Sequence, residues 1–426
     1  MALRRMISRV KLACICGDTD AVQDDDIIGC DSPKSWLSIS SHIPNDTIQP
    51  PSNEEIVSSL EGVVPKYLST LSSRPPSLSE FSENDARKLM KEFTVKKTSA
   101  LQKLHDLTIK AHEYNRIPLI QTDKWNIMST LSMALIESCD QTIVGSDNRG
   151  LDKNRRLICW TLNNLSIPYE NKATMILDDK SIILQAMMMV IQLNLPESYL
   201  GCIFINNLTF LAEAIKPVAL FVPPASTTST QLQQQAKDIA RPDIIRPRSF
   251  STKVDKEWDS EIFENVLGNP SSLLCTIERM MMINAPFLMS GVKSVQGEAI
   301  RWACGFVRNV TSGGEKLNSS DASVPSPRGR KGSISNDNIQ NLCQLISKTE
   351  IPRLIVQFVR DSPHAPVQWT KDSLEDICLG IMCNLARFSS RESLIRAGAT
   401  ECLEKIEYLP GIHGYRARAV RVSLGA

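Results

Sequence analysis

Apolar residues recur at intervals of three and four along most of this chain, and that spacing places each set on one face of an α-helix. One set runs Leu89, Phe93, Leu101, Leu104, Leu107, and a second is Ile158, Leu162, Leu165. Further sets are Leu200, Phe204, Leu208, Leu211; then Ile300, Ala303, Val307, Val310; then Leu374, Ile377, Ile381, Leu385, Phe388. Ser82, followed by Glu83 and Asp85, is predicted to cap the first of these helices. Leu273, Leu274, Ile277 and Met281 predict further helices between Glu261 and Ser290.

Inside these helices a short phrase returns, in the order apolar, variable, Asn, apolar, small. Its copies are Leu162-Asn163-Asn164-Leu165-Ser166, Ile205-Asn206-Asn207-Leu208-Thr209, Val307-Arg308-Asn309-Val310-Thr311 and Met382-Cys383-Asn384-Leu385-Ala386. The stretch Ala100 to Thr108 is a degenerate first copy with Asp106 in place of Asn. A recurring helical unit specifies a stack in which neighbours bury one another's faces. The predicted class is therefore all-α, a helical-repeat domain over residues 55–426. The step from Asn164 to Asn207 is 43 residues, but the next two steps are longer. The excess falls in two polar stretches, 223–256 and 312–337, expected to be mobile insertions. Residues 18–54 are polar and rich in Asp, Ser and Pro, and are expected to be disordered.

Composition narrows this picture. Aromatics are only 5% of the chain, so Leu, Ile, Met, Ala and Cys carry the core, which suits packed helices better than sheets. A net charge of +1 gives no global attraction to nucleic acid, and no nucleic-acid partner is expected. Of the twelve cysteines, Cys159, Cys202, Cys304, Cys378 and Cys383 lie in apolar helical stretches and none forms a C-x-x-C pair. That favours a reducing compartment, cytoplasmic or also nuclear, over a disulfide framework. Residues 1–17 carry Arg4, Arg5, Arg9 and Lys11 with no acid before Asp18. Three readings stay open: an organelle-import leader, a membrane-surface helix acylated at Cys14 and Cys16, or a frayed basic terminus. Membrane contact is expected only if those cysteines are acylated.

At the repeated phrase the chain resembles the armadillo-repeat family, whose units are three helices with an A-x-W-A-L-x-N-L-A-like phrase on the third. The nearest match is Cys378 to Ala386, followed by Glu392 to Ala399 with Gly398 at the helix break. The resemblance implies an armadillo-like α-solenoid, a right-handed superhelix whose third helices line a concave groove. It also implies that Asn164, Asn207, Asn309 and Asn384 can clamp the backbone of a bound peptide, a carboxamide offering both donor and acceptor. The other reading is that these residues only bond within the helix stack. Nuclear-import adaptors of the family place Trp four residues before each Asn. Here only Trp160 stands at that position, which argues against recognition of nuclear-import signals.

No phosphate loop, nucleophile elbow or H-E-x-x-H pair is present, and the five histidines, His105 and His112 among them, form no metal-ligand pattern. They read as solvated side chains. No enzyme activity, cofactor or metal is expected. Arg246-Pro247-Arg248-Ser249 and Arg328-Gly329-Arg330-Lys331-Gly332-Ser333 set serines after arginines, so Ser249 and Ser333 are candidate phosphorylation sites for a basophilic kinase. Sequons at Asn164, Asn207 and Asn309 coincide with the repeat and are not read as glycosylation sites. Arg416, Arg418 and Arg421 form a basic stripe on the last helix, read as a solvated closing face or a site for an acidic partner or lipid. The expected function is a non-catalytic protein-interaction scaffold or adaptor. Two alternatives are a nucleotide-exchange co-chaperone of a heat-shock chaperone and a regulatory or targeting subunit of an enzyme assembly.

Overall fold

The computed structural model describes residues 51–75, 77, 81–122, 125–143, 149–177, 182–223, 260–289, 294–313, 334–364, 368–388 and 390–425. Among the described residues every regular element is helical, and neighbouring helices pack on one another. The candidate positions Cys14, Cys16, Ser249 and Ser333 lie outside the described residues, as do residues 1–17 and most of the two insertions.

Seventeen of the described helices sort into three files. The first file runs α1 (Asn53–Leu60), α4 (Arg116–Gln121), α7 (Tyr169–Leu177), α10 (Ala212–Ala219) and α14 (Asn336–Ser347), each touching the one before. The second runs α2 (Val64–Ser72), α5 (Ile127–Ile143), α8 (Ile182–Gln192), α12 (Leu273–Met289), α15 (Ile351–Arg360) and α18 (Ala399–Glu404). The third runs α3 (Glu83–Asp106), α6 (Arg149–Leu165), α9 (Ser198–Leu208), α13 (Val295–Ser312) and α16 (Leu374–Arg387), ending at α19 (Ile412–Leu424). Two shorter helices, α11 (Ser260–Leu267) and α17 (Arg391–Arg396), and a 3-10 turn at Lys110–Asn115 lie between members of the files.

Local chemistry explains where these helices start and stop. Ser82 accepts a hydrogen bond from the Asp85 amide as anticipated, and Ser294, Ser335 and Ser373 cap α13, α14 and α16 in the same way. Each such cap contributes about 1 kcal/mol. Helix α13 stops at Gly313 (φ 66°), and Gly398 (φ 78°) separates α17 from α18, both in the left-handed region that glycine enters at no steric cost. Two predicted boundaries move. Residues 53 and 54, read as part of a disordered segment, begin α1, where Ser52 and Glu55 form a reciprocal capping box. Residues 336 and 337, read as insertion, open α14.

The core sits between the files. The apolar residues flanking each repeated Asn (Leu162 and Leu165, Ile205 and Leu208, Val307 and Val310, Met382 and Leu385) are at most 1% exposed. The phrase therefore recurs because each third-file helix buries the same face against its neighbours.

Candidate functional site

The third file brings the repeated asparagines into register. Asn164 Nδ2 donates to Thr108 Oγ1 at 3.2 Å and Asn207 Nδ2 to Ser166 Oγ at 3.2 Å. Asn309 Nδ2 donates to Thr209 Oγ1 at 3.2 Å and Asn384 Nδ2 to Thr311 Oγ1 at 3.1 Å. Each Asn thus reaches the hydroxyl two residues beyond the Asn or Asp of the preceding copy. The hydroxyls are fully buried and spend their protons on their own helices: Thr108 on His105 O, Ser166 on Asn163 O, Thr209 on Asn206 O, Thr311 on Val307 O. A hydroxyl whose proton is committed can only accept, which orients each carboxamide with its nitrogen toward the stack. Asp106 opens the series, has no preceding copy to reach, and takes a hydrogen bond from Gln102 at 2.9 Å.

This ladder uses one end of each carboxamide. The Oδ1 atoms of Asn164, Asn207, Asn309 and Asn384 accept no hydrogen bond from the described residues, yet they are not sealed from solvent. Four and eight residues earlier, the same helical face carries Trp160 and Arg156 on α6, Ile203 and Tyr199 on α9, Gly305 and Arg301 on α13, Gly380 and Asp376 on α16. Trp160 meets Tyr199 edge to face, ring centres 6.4 Å apart. The space beside the two glycines is filled from neighbouring helices. A Cβ on Gly305 would sit 2.8 Å from Asn206 Oδ1, and one on Gly380 would sit 3.4 Å from Arg308 Cδ. Asn206 uses that space to accept from Asn309 Nδ2 at 3.1 Å, and Arg308 uses its own to pair with Asp372 at 3.3 Å. Polar cross-links thus take the space beside these glycines, and of the positions four before each repeated Asn only Trp160 is an indole.

Charge is buried beside this face. Arg155 and Glu197, 2% and 1% exposed, lie 3.6 Å apart, and Arg155 also pairs with Asp152. Burial raises the Glu197 carboxyl above its ordinary range, with Arg155 opposing the rise. Lys172 of the first file donates to Asn207 O at 2.7 Å, closing the C-terminal end of α9, and its burial brings the ammonium down to about 8. Burial likewise pushes the thiols of Cys139 and Cys343 up to about 12, and those of Cys383 and Cys402 to about 11. These thiols are inert packing groups, because the reactive species is the thiolate.

Two readings of charged residues change. His105, read as solvated, is largely buried beside Asp106 at 3.6 Å, whereas His112 is exposed. The basic stripe of α19 is tied down: Arg416 pairs with Asp376, and Arg421 with Glu404 and Glu407. Among the described residues no group of three or more His, Cys, Asp or Glu side chains is placed to hold a metal, and no helix is long and apolar enough to cross a membrane. No known protein-family model matches the chain, and no curated protein is detectably similar to it.

Proposed function

We propose that this chain is an armadillo-like α-solenoid that acts as a non-catalytic interaction scaffold, and that the face of its third file binds an extended protein segment. The observation that carries the reading is the row of carboxamide oxygens. Their nitrogens are committed to the stack, so the acceptors of Asn164, Asn207, Asn309 and Asn384 are held in fixed positions on consecutive helices. A fixed, unpaired acceptor suits a backbone N–H, and preorganisation removes the entropy of arranging it. Trp160, Tyr199, Arg156 and Arg301 supply the residue types that anchor protein partners. Adjacent helices lie about 8–10 Å apart, so four of them match roughly eight extended residues at about 3.3 Å each.

The ligand is a protein segment rather than a small molecule, and the reading needs neither cofactor nor metal. A reducing compartment, cytoplasm or nucleus, fits the free and buried cysteines. The test compares partners captured from native cells by wild type and by an Arg156→Ala/Trp160→Ala variant, with thermal melts to establish that the variant folds. These side chains lie outside the ladder, so a defined subset of partners should fall by about tenfold or more while the melt shifts little. An unchanged partner list from a folded variant would overturn the reading.

A further inference from the structure

Among the described residues, helices α3 and α19 each carry a run of basic side chains, and only that of α19 is neutralised by carboxylates. On α19, carboxylates hold Arg416 and Arg421. On α3, residues 86–105 carry Arg87, Lys88, Lys91, Lys96, Lys97 and Lys103 against a single acid of their own helix, Glu92, with Glu137 of α5 near Lys97. Arg87 pairs with Glu83, and Lys97 lies over the Phe93 ring at 4.9 Å. Lys88, Lys91 and Lys96 are exposed and pair with no carboxylate among the described residues. Helix α3 is the first described member of the third file, and on this flank Lys88, Lys91, Val95 and Lys96 are exposed among the described residues. Within the cationic stripe Val95 is 60% exposed, and Phe81 just ahead of the helix is 49% exposed.

We propose that this face of α3 is a docking surface for an anionic phospholipid bilayer. Lys88, Lys91 and Lys96 run along about 12 Å of one helix at about 1.5 Å per residue, a row that a plane of headgroups can meet all at once. Exposed Val95 and Phe81 can enter the headgroup boundary alongside the charges, the combination that holds a basic amphipathic surface on an acidic membrane. The residue types disfavour other anions. Lysine is depleted at protein interfaces, and its compact point charge suits a diffuse anionic surface better than the paired, oriented grip that arginine makes on a single carboxylate or phosphate. Phe93 lies under Lys97, and exposed Phe81 alone does not make the series of rings on which successive bases stack.

Co-sedimentation of the full chain with phosphatidylcholine vesicles, with and without 30% phosphatidylserine, tests this at physiological salt. Binding should require phosphatidylserine and weaken steeply in 0.5 M NaCl. Each lysine near such a surface is worth about 1 kcal/mol, or about fivefold, so Lys88→Gln/Lys91→Gln/Lys96→Gln should bind on the order of a hundredfold more weakly. These exposed side chains are outside the packed files, and an unchanged thermal melt shows that the variant folds. A second variant, neutral at Arg4, Arg5, Arg9 and Lys11, separates the two basic segments. The proposal is overturned if the α3 variant binds like wild type, if only the leader variant loses binding, or if wild type ignores the vesicles and binds polyglutamate or single-stranded RNA.

Discussion

Replacing Arg155 by Met is expected to lower the unfolding free energy by about 3–5 kcal/mol, because it leaves Glu197 ionised, buried and without its principal cation. Glu197 is 1% exposed, so water cannot take the place of the guanidinium. An isosteric pair behaves differently: Arg155→Met with Glu197→Leu removes both charges and should recover most of the loss. Urea unfolding of the three proteins at pH 7.5 measures both effects. The pH dependence follows from the sign of the shift. Burial raises the carboxyl in the folded state, so its contribution favours folding below the unfolded value and is lost as pH rises through the folded one. Without Arg155 the shift grows, so the cost of Arg155→Met should shrink as pH falls from 8 toward 5. A cost below 1 kcal/mol at pH 8, or one that grows on acidification, would contradict the assignment.

Asn309→Ala should cost about 2–3 kcal/mol, the largest loss from any one rung of the ladder. Its Nδ2 lies within 3.3 Å of Asn206 O, 3.1 Å of Asn206 Oδ1 and 3.2 Å of Thr209 Oγ1, all in a buried seam between α9 and α13. Removing the donor strands acceptors that water does not reach. Asn164 makes one such bond from a half-buried position, so Asn164→Ala should cost about 1 kcal/mol. A double-mutant cycle of Asn309→Ala with Thr209→Val isolates the rung, with an expected coupling of about 0.5–1.5 kcal/mol. Strict additivity, or equal costs at positions 164 and 309, would show that the phrase does not cross-link helices.

The helices and the shared face of the repeated phrase were legible in the amino-acid sequence, because three-four spacing and a recurring Asn are local signals. The partners of that Asn were not. Thr108, Ser166, Thr209 and Thr311 each sit in the preceding copy, and irregular insertions hide the spacing that would pair them. Their only trace was the small residue ending the phrase, met also as the third position of three sequons. The surroundings of Gly305 and Gly380 were not legible either, since the side chains that fill their space come from Asn206 and Arg308, helices away in sequence. The same limit misread Arg416 and Arg421, since a list of cations does not reveal that Asp376 and Glu407 face them. Ser52 with Glu55 is a different case: the capping box was present in sequence, but the neighbouring prolines and serines drew the segment into a disordered reading.

The account rests most heavily on an extended segment lying along the third file. A photoreactive benzoylphenylalanine placed singly at Arg156, Tyr199 and Arg301, and as a control at exposed Met282 on α12, tests this directly in native cells. The prediction is that the three third-file positions cross-link to successive residues of one short partner segment, in the order of the helices, while Met282 does not. Adducts absent from all three positions, or equally frequent at Met282, would contradict it.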